Sequence, residues 1–155
     1  MVDHDWILLL RVLVAAVLSG ALGWEREAAG KTAGLRTHVL VGIGSSLFVV
    51  LGEAVALGFP ASPATLRIEP LALIQAVAVG IGFLGAGVVF APTGSGPVKG
   101  LTTAASIWAT AAVGVATGFG HFILGVGTTV LVLVALRGLR VVEEKRGVRS
   151  SRSQQ

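Results

Sequence analysis

Two carboxylates, three basic side chains and a histidine lie close together between Glu25 and His38. Glu25 and Glu27 are two residues apart, a spacing that points them to different faces of a helix, so they do not form a ready-made chelate. Mg²⁺ keeps most of its water ligands and needs only one or two carboxylates. Two interpretations of this segment therefore stay open: a site for a hydrated ion, or charged side chains that are simply solvated. We expect His38 to form hydrogen bonds rather than bind a metal. The candidate functional residues of this segment are Glu25, Arg26, Glu27, Lys31, Arg36 and His38.

A second set of ionisable residues lies inside long apolar stretches. Arg11 comes five residues after the start of the stretch 6–24, and Glu53 comes six residues before the end of the stretch 38–59. With a helical rise of about 1.5 Å per residue, both lie about 8–9 Å below the same surface if the two stretches are successive helices that cross a membrane. Opposite charges at matched depth suggest an ion pair. Two interpretations of this pair stay open: it stabilises the fold, or it is part of a transport site.

Polar and small residues also recur at helical spacing. Thr103, Ser106, Thr110, Gly114 and Thr117 follow one another at steps of three or four, which places them on one helix face. Similar faces carry Gln75 with Gly82, and Gly42 and Ser46 with Glu53, and we expect all of them to point inward. Tight packing with weak interhelical hydrogen bonds of about 0.6 kcal/mol each is one interpretation, and a polar path for an ion is the other. The further candidate residues are Glu53, Gln75, Lys99, Thr102, Thr103 and Thr110.

The glycines of this chain favour helix packing over nucleotide binding. Gly80, Gly82 and Gly85 match the spacing of a dinucleotide-binding loop, but no strand precedes them and no acidic residue follows about 20 positions later. Nothing resembles a Ser/His nucleophile pair or an intramembrane aspartyl dyad, so we expect no enzyme. The glycines predicted to pack helices closely are Gly20, Gly23, Gly80, Gly82, Gly85, Gly87, Gly114 and Gly118.

The elements that must position these residues are long and apolar. Hydrophobic residues make up 54% of the sequence and charged residues 13%. Because lipid offers no hydrogen-bonding partner to the backbone, runs of this length must be helices. The sequence predicts an all-α polytopic membrane domain over residues 1–136 and a basic cytoplasmic tail over 137–155, with Thr37 and Thr102 or Thr103 available as helix caps. The five predicted spans are 6–24, 38–59, 71–91, 101–118 and 120–136.

The distribution of positive charge predicts the orientation. Ten Lys and Arg residues fall in the loops 25–37 and 92–100 and in the tail, whereas the opposite side has Arg67 alone. This asymmetry places the N-terminus outside and the C-terminus in the cytoplasm. A cleaved signal peptide over 6–24 is disfavoured because Asp3 and Asp5, not basic residues, precede the stretch. The absence of cysteine excludes disulfides, and basic residues confined to loops beside apolar runs do not indicate nucleic-acid binding.

Three stretches together resemble the MgtC/SapB family of bacterial inner-membrane proteins. They are 20–38, which contains Trp-Glu-Arg-Glu and Gly-Leu-Arg-Thr-His, then 80–87 and 99–110, in the same order and at the same spacing as in that family. The likeness covers about residues 7–136 and implies five helices with the N-terminus outside. Two departures stand out: the chain resembles the short SapB-type form without a soluble C-terminal domain, and Ala72 occupies the place of a family arginine after Glu69 and Pro70.

The resemblance also implies a role in growth at low magnesium, and in intracellular survival in some pathogens. It leads us to expect a non-enzymatic protein of the bacterial inner membrane that regulates another membrane complex, with the F-type ATP synthase as one implied partner. The alternative is a small Mg²⁺ or other cation transporter with a path between helices 2, 3 and 4 and a mouth near Glu25, Glu27 and residues 99–103. Beyond the lipid bilayer, a homodimer is possible, and we expect no cofactor, although Mg²⁺ remains possible.

Overall fold

The fold is a bundle of five helices. The computed structural model describes residues 2–58, 70–90 and 100–145, and the regular structure within these ranges is entirely helical. The five predicted helices are confirmed, and the last of them continues into the predicted tail as far as Lys145. The helices are α1 (Val2–Ala28), α2 (Leu35–Gly58), α3 (Pro70–Phe90), α4 (Leu101–Gly118) and α5 (Phe122–Lys145).

The surface of the bundle is that of a polytopic membrane protein, as predicted. The helices α1 to α4 are long and apolar enough to cross a bilayer, while the apolar part of α5 is shorter, at Phe122–Gly138. Large apolar side chains point outward, with Phe83 81% exposed and Ile123 92% exposed. Such exposure is stable in hydrocarbon, where burial of apolar surface brings no gain. The orientation of the bundle across the membrane stays a prediction from the charge count.

Helix α4 is the centre of the bundle. Within the described ranges it contacts each of the other four helices, whereas α3 contacts only α4 and, over a smaller area, α2. Half of the residues in the apolar segment of α4 are buried, whereas 17% of those in the apolar segment of α3 are. The small core joins Ile107 and Ala111 of α4 to Val77 and Ile81 of α3. The polar residues of α4 therefore lie among helices rather than against lipid.

Helix α2 begins three residues earlier than predicted, and neither predicted threonine cap is used. Thr37 lies inside the first turn of α2, because the helix starts at Leu35. Gly100 precedes α4 with a φ of 88° and offers no side chain to cap it. A φ of that sign is easily reached only by glycine, so the turn into α4 depends on Gly100 rather than on Thr102 or Thr103.

Three of the predicted packing glycines allow backbones to approach closely. A Cβ on Gly114 would lie 2.7 Å from the carbonyl oxygen of Gly42, and one on Gly118 would lie 2.8 Å from the Cβ of Val49. A Cβ on Gly23 would lie 2.7 Å from the Cα of Leu35. These contacts bring α1, α2 and α4 close together, as small residues do in membrane helix interfaces.

The remaining predicted glycines do not make such contacts. A Cβ on Gly20 or Gly85 would make ordinary van der Waals contact, and one on Gly80, Gly82 or Gly87 would meet no atom within 4 Å. The close packing expected at these last three positions is therefore not made by the described residues. The reason is that α3 packs through Val77, Ile81 and Gly85, which leaves its other faces open.

Replacing Gly114 by alanine tests the close contact between α2 and α4. We expect Gly114→Ala to lower the free energy of unfolding by about 1–3 kcal/mol, because the added methyl group overlaps a backbone carbonyl that cannot move aside. The matched control is Gly82→Ala, whose methyl group enters open space and whose helix propensity improves. Thermal unfolding in detergent, followed by circular dichroism, measures both. Equal melting temperatures for the two variants would contradict the packing described.

Candidate functional site

A buried polar cluster lies where the end of α1 meets the starts of α2 and α4; we call Glu25, Arg26, His38 and Ser106 the inner polar cluster. Glu25 and Arg26 are 3% and 2% exposed. Nε of Arg26 donates to Oε2 of Glu25 at 2.7 Å, and Nη2 donates to Oε1 at 3.2 Å. Nη1 of Arg26 is buried with no hydrogen-bond partner among the described residues. Burial of a charge is costly, so this two-point pairing is what keeps the guanidinium stable there.

His38 connects α2 to α4 through Nε2, while Nδ1 contacts the residue just before α2. The side chain is fully buried, with Nδ1 lying 2.9 Å from the carbonyl oxygen of Gly34 and Nε2 3.2 Å from Oγ of Ser106. Because a carbonyl only accepts, Nδ1 carries a hydrogen. Ser106 Oγ also lies 2.8 Å from the carbonyl oxygen of Thr103, so its one hydrogen has two acceptors within reach. His38 thus acts as a hydrogen-bonding link between helices.

Glu27 has a different role from Glu25, as their spacing predicts. Its Oε2 accepts a hydrogen bond from the backbone N–H of Leu35 at 2.8 Å, and the side chain is exposed. The first N–H groups of a helix have no partner within it, so this carboxylate caps α2 from the neighbouring helix. Gly34 makes room for it, because a Cβ there would lie 2.7 Å from the same oxygen. The two carboxylates therefore do not converge on one ion.

Among the described residues, the other basic candidates of this end do not join the inner polar cluster. Lys31 and Arg36 are exposed. Lys99 lies outside the described residues. Thr102 is exposed, and Thr103 is buried and contributes only its carbonyl group to the cluster.

Arg11 and Glu53 form an ion pair near the opposite end of the bundle. Nη1 of Arg11 lies 2.5 Å from Oε2 of Glu53 and also donates to the carbonyl oxygen of Gly118 at 3.2 Å. That carbonyl belongs to the last turn of α4, where no partner within the helix is available. One guanidinium therefore ties α1 to α2 and to the end of α4. The two side chains are 16% and 33% exposed, which makes this a partly buried pair.

The polar face of α4 points inward, but the hydroxyl groups of Thr110 and Thr117 are bonded within the helix. Thr103, Ser106, Thr110 and Thr117 are all buried. Thr110 donates to the carbonyl oxygen of Ser106 at 2.8 Å, and Thr117 lies 2.9 Å from the carbonyl oxygens one turn back. Hydroxyls bonded in this way do not offer a continuous path to an ion.

Gln75 does not lie in a polar cavity between α2, α3 and α4. Gln75 and Gly82 are exposed, contrary to the inward orientation expected of them, because they lie away from the packed face of α3. The space between α2 and α3 is a cavity of about 500 Å³ with apolar walls. A second cavity of about 340 Å³, between α3 and α4, is also apolar and includes Trp108 and His121. Neither cavity is lined by Glu53, Gln75 or Thr110.

Comparison with known proteins places the chain in a family. The model of the MgtC family matches residues 12–145, a range that includes the inner polar cluster and the ion pair apart from Arg11. The chain belongs to the MgtC family. No solved structure matches it.

The relatives within this family are of different lengths. YhiD of Escherichia coli K12, provisionally named a magnesium transporter, is 41% identical over 130 residues, which are 83% of this chain and 58% of YhiD. SrpB of Synechococcus elongatus is 38% identical, over 95% of this chain and 83% of SrpB. MgtC of Salmonella typhimurium LT2 is 35% identical, over 82% of this chain and 50% of MgtC. The chain thus spans about half of MgtC and somewhat more of YhiD.

Sequence reasoning about this MgtC-family chain missed several partners of the site. Ser106 was placed on an inward helix face but not among the candidate functional residues. Nothing in a single sequence indicates that Ser106 of α4 faces His38 of α2. The acceptors at Gly34 and Gly118 are backbone carbonyls, which composition does not reveal. The adjacency of Glu25 and Arg26 beside an apolar span was the one available signal for their pairing.

The unequal burial of the two carboxylates gives a direct test of the site. We expect Glu25→Ala to lower the free energy of unfolding by about 3–5 kcal/mol, because it leaves a buried guanidinium without its counter-charge. Glu27→Ala is the matched control, two residues away and exposed, and it should cost about 1 kcal/mol through loss of the α2 cap. Unfolding of the purified variants in detergent gives both values. A larger effect at Glu27 than at Glu25 would show that the inner polar cluster is wrongly described.

Proposed function

We propose that this protein is a non-enzymatic membrane component that supports Mg²⁺ homeostasis by regulating another membrane complex. The observation that carries the proposal is the internal pairing of its polar groups. Arg11 is bonded to Glu53 and Arg26 to Glu25, and Thr110 and Thr117 of α4 are bonded to their own helix backbone. Groups that are satisfied within the bundle stabilise it and leave few free oxygen ligands for a passing cation.

The cavities between the helices support the same proposal. An ion that loses its water in a transport path needs oxygen ligands or charged side chains along the way. The two apolar cavities beside α3 supply almost none. Among the residues described, no three His, Asp or Glu side chains are grouped closely enough to hold a metal.

The connection with magnesium rests on the family and on the name of a relative. YhiD, at 41% identity, carries a provisional name as a magnesium transporter. That name also favours the second candidate function, a small cation transporter with a path between α2, α3 and α4. The F-type ATP synthase, implied by the family resemblance, is our candidate for the regulated complex.

Flux measurements on the purified chain separate the two functions. We expect liposomes that contain the protein and a Mg²⁺-sensitive dye to show the same Mg²⁺ entry as protein-free liposomes, because the two cavities between the described helices are apolar. An ionophore added at the end serves as the positive control for the dye. Saturable flux that is lost in Glu53→Gln or Glu25→Gln would overturn the regulatory proposal and establish the transporter.

Crosslinking in cells tests the regulatory half of the proposal. A photoreactive residue at an exposed position of α5, such as Ile123, should be captured on a subunit of one defined membrane complex. Capture of the F-type ATP synthase would identify it as the regulated complex. Absence of any specific partner, together with measurable flux, would contradict the proposal.

A further inference from the structure

The cavity between α2 and α3 is a groove with an open, apolar lining. Val77 and Ile81 of α3 form part of its floor, and Val41 and Ser45 lie on the side of α2. Gly44 and Gly80 both line it, and a Cβ on either would meet no atom within 4 Å, so the two helices are held apart there. We call this space the α2/α3 groove; its outer walls are formed by Leu40, Gly44, Phe48, Leu73, Gly80 and Leu84.

The length of the groove along the helices is close to the thickness of one membrane leaflet. Along α2 its lining runs from Leu40 to Phe48, which at about 1.5 Å per residue is about 12 Å. Half of a hydrocarbon core is about 15 Å. Its volume of about 500 Å³ lies within the range of small-molecule sites. The lining starts five residues into α2 and continues on α3 as far as Leu73, near the other end of the bundle. A single acyl chain that enters beside the start of α2 and continues past the bilayer midplane matches this length.

A positive charge lies at one end of the groove. Arg36 is four residues before Leu40, one turn closer to the predicted cytoplasmic surface, and Thr37 is seven residues before Gly44, on the same face. Both side chains are exposed. Neither ion pair of the described residues includes Arg36. An exposed cation at the mouth of an apolar groove is complementary to a molecule with an anionic head and a hydrocarbon tail.

We propose that the α2/α3 groove binds one acyl chain of an anionic phospholipid whose phosphate lies against Arg36. The phosphate accepts hydrogen bonds from the guanidinium and from the hydroxyl of Thr37, while the chain fills the space beside Gly44 and Gly80. A helix from a second copy would bring apolar side chains to the groove but no anion to Arg36. The charge at the mouth therefore favours a phospholipid over a transmembrane helix.

Native mass spectrometry of the full-length chain tests this site. The protein is equilibrated in mixed micelles that contain equal amounts of phosphatidylglycerol and phosphatidylcholine, and the retained lipids are counted. We expect one phosphatidylglycerol per chain. Gly80→Leu and, independently, Gly44→Leu should abolish its retention, because the new side chain occupies the groove. Gly82→Leu is the matched control, because Gly82 also has open space around its Cβ position but does not line the groove.

A variant of Arg36 tests the contribution of the lipid headgroup separately from that of the acyl chain. Arg36→Gln should retain a lipid but lose about fivefold in its preference for phosphatidylglycerol, the effect of one cation near a membrane surface. Lys31→Gln, at the same end but away from the groove, should keep the preference. Equal lipid retention in Gly80→Leu, Gly44→Leu and Gly82→Leu would overturn the proposal. So would a wild-type dimer without lipid that Gly80→Leu dissociates, since it would identify a second copy as the occupant.

Discussion

The need to satisfy polar groups without water is the constraint on which this structure depends. Hydrocarbon accepts no hydrogen bond, so each backbone and side-chain polar group at membrane depth must find its partner within the protein. Arg11 meets this need by bonding both Glu53 and the last turn of α4. The hydroxyls of Thr110 and Thr117 meet it by bonding their own helix. Ser19 and Ser46, buried without a partner among the described residues, are exceptions within the interface of α1, α2 and α4.

The same constraint explains why the bundle is built around α4. In a membrane, helices gain little from apolar contact with one another, so close backbone approach and interhelical hydrogen bonds must hold them together. Gly114 and Gly118 allow that approach to α2, and Ser106 contributes a hydrogen bond to His38. Among the described residues, helix α3 is packed along one face, and Gly80 of α3 with Gly44 of α2 leaves the groove between the two helices open. The architecture thus combines a tightly joined trio of α1, α2 and α4 with a peripheral α3.

The helices could be predicted from the sequence because their length and hydropathy follow from bilayer thickness. The pairing of Arg11 with Glu53 was also accessible, since equal depth on successive helices brings opposite charges together. The start of α2 was missed because its cap, Glu27, belongs to another helix and is eight residues away in sequence. The predicted inward orientation of Gln75 was wrong for a similar reason. Helical spacing defines a face of a helix but does not say which neighbour that face meets. Contacts that depend on which helix faces meet are therefore harder to predict from one sequence than the pairing of two opposite charges at equal depth.

A bundle that satisfies its polar groups internally has a dry interior, and water-soluble thiol reagents test this dryness most directly. The natural chain has no cysteine, so single cysteines can be introduced without background. Thr110→Cys probes the buried face of α4, and Lys31→Cys is an exposed control. Thiols react as thiolates, which form only where water reaches them. In reconstituted protein the cysteine at 110 should stay unmodified while the one at 31 is fully labelled; equally fast labelling at both positions would contradict the account.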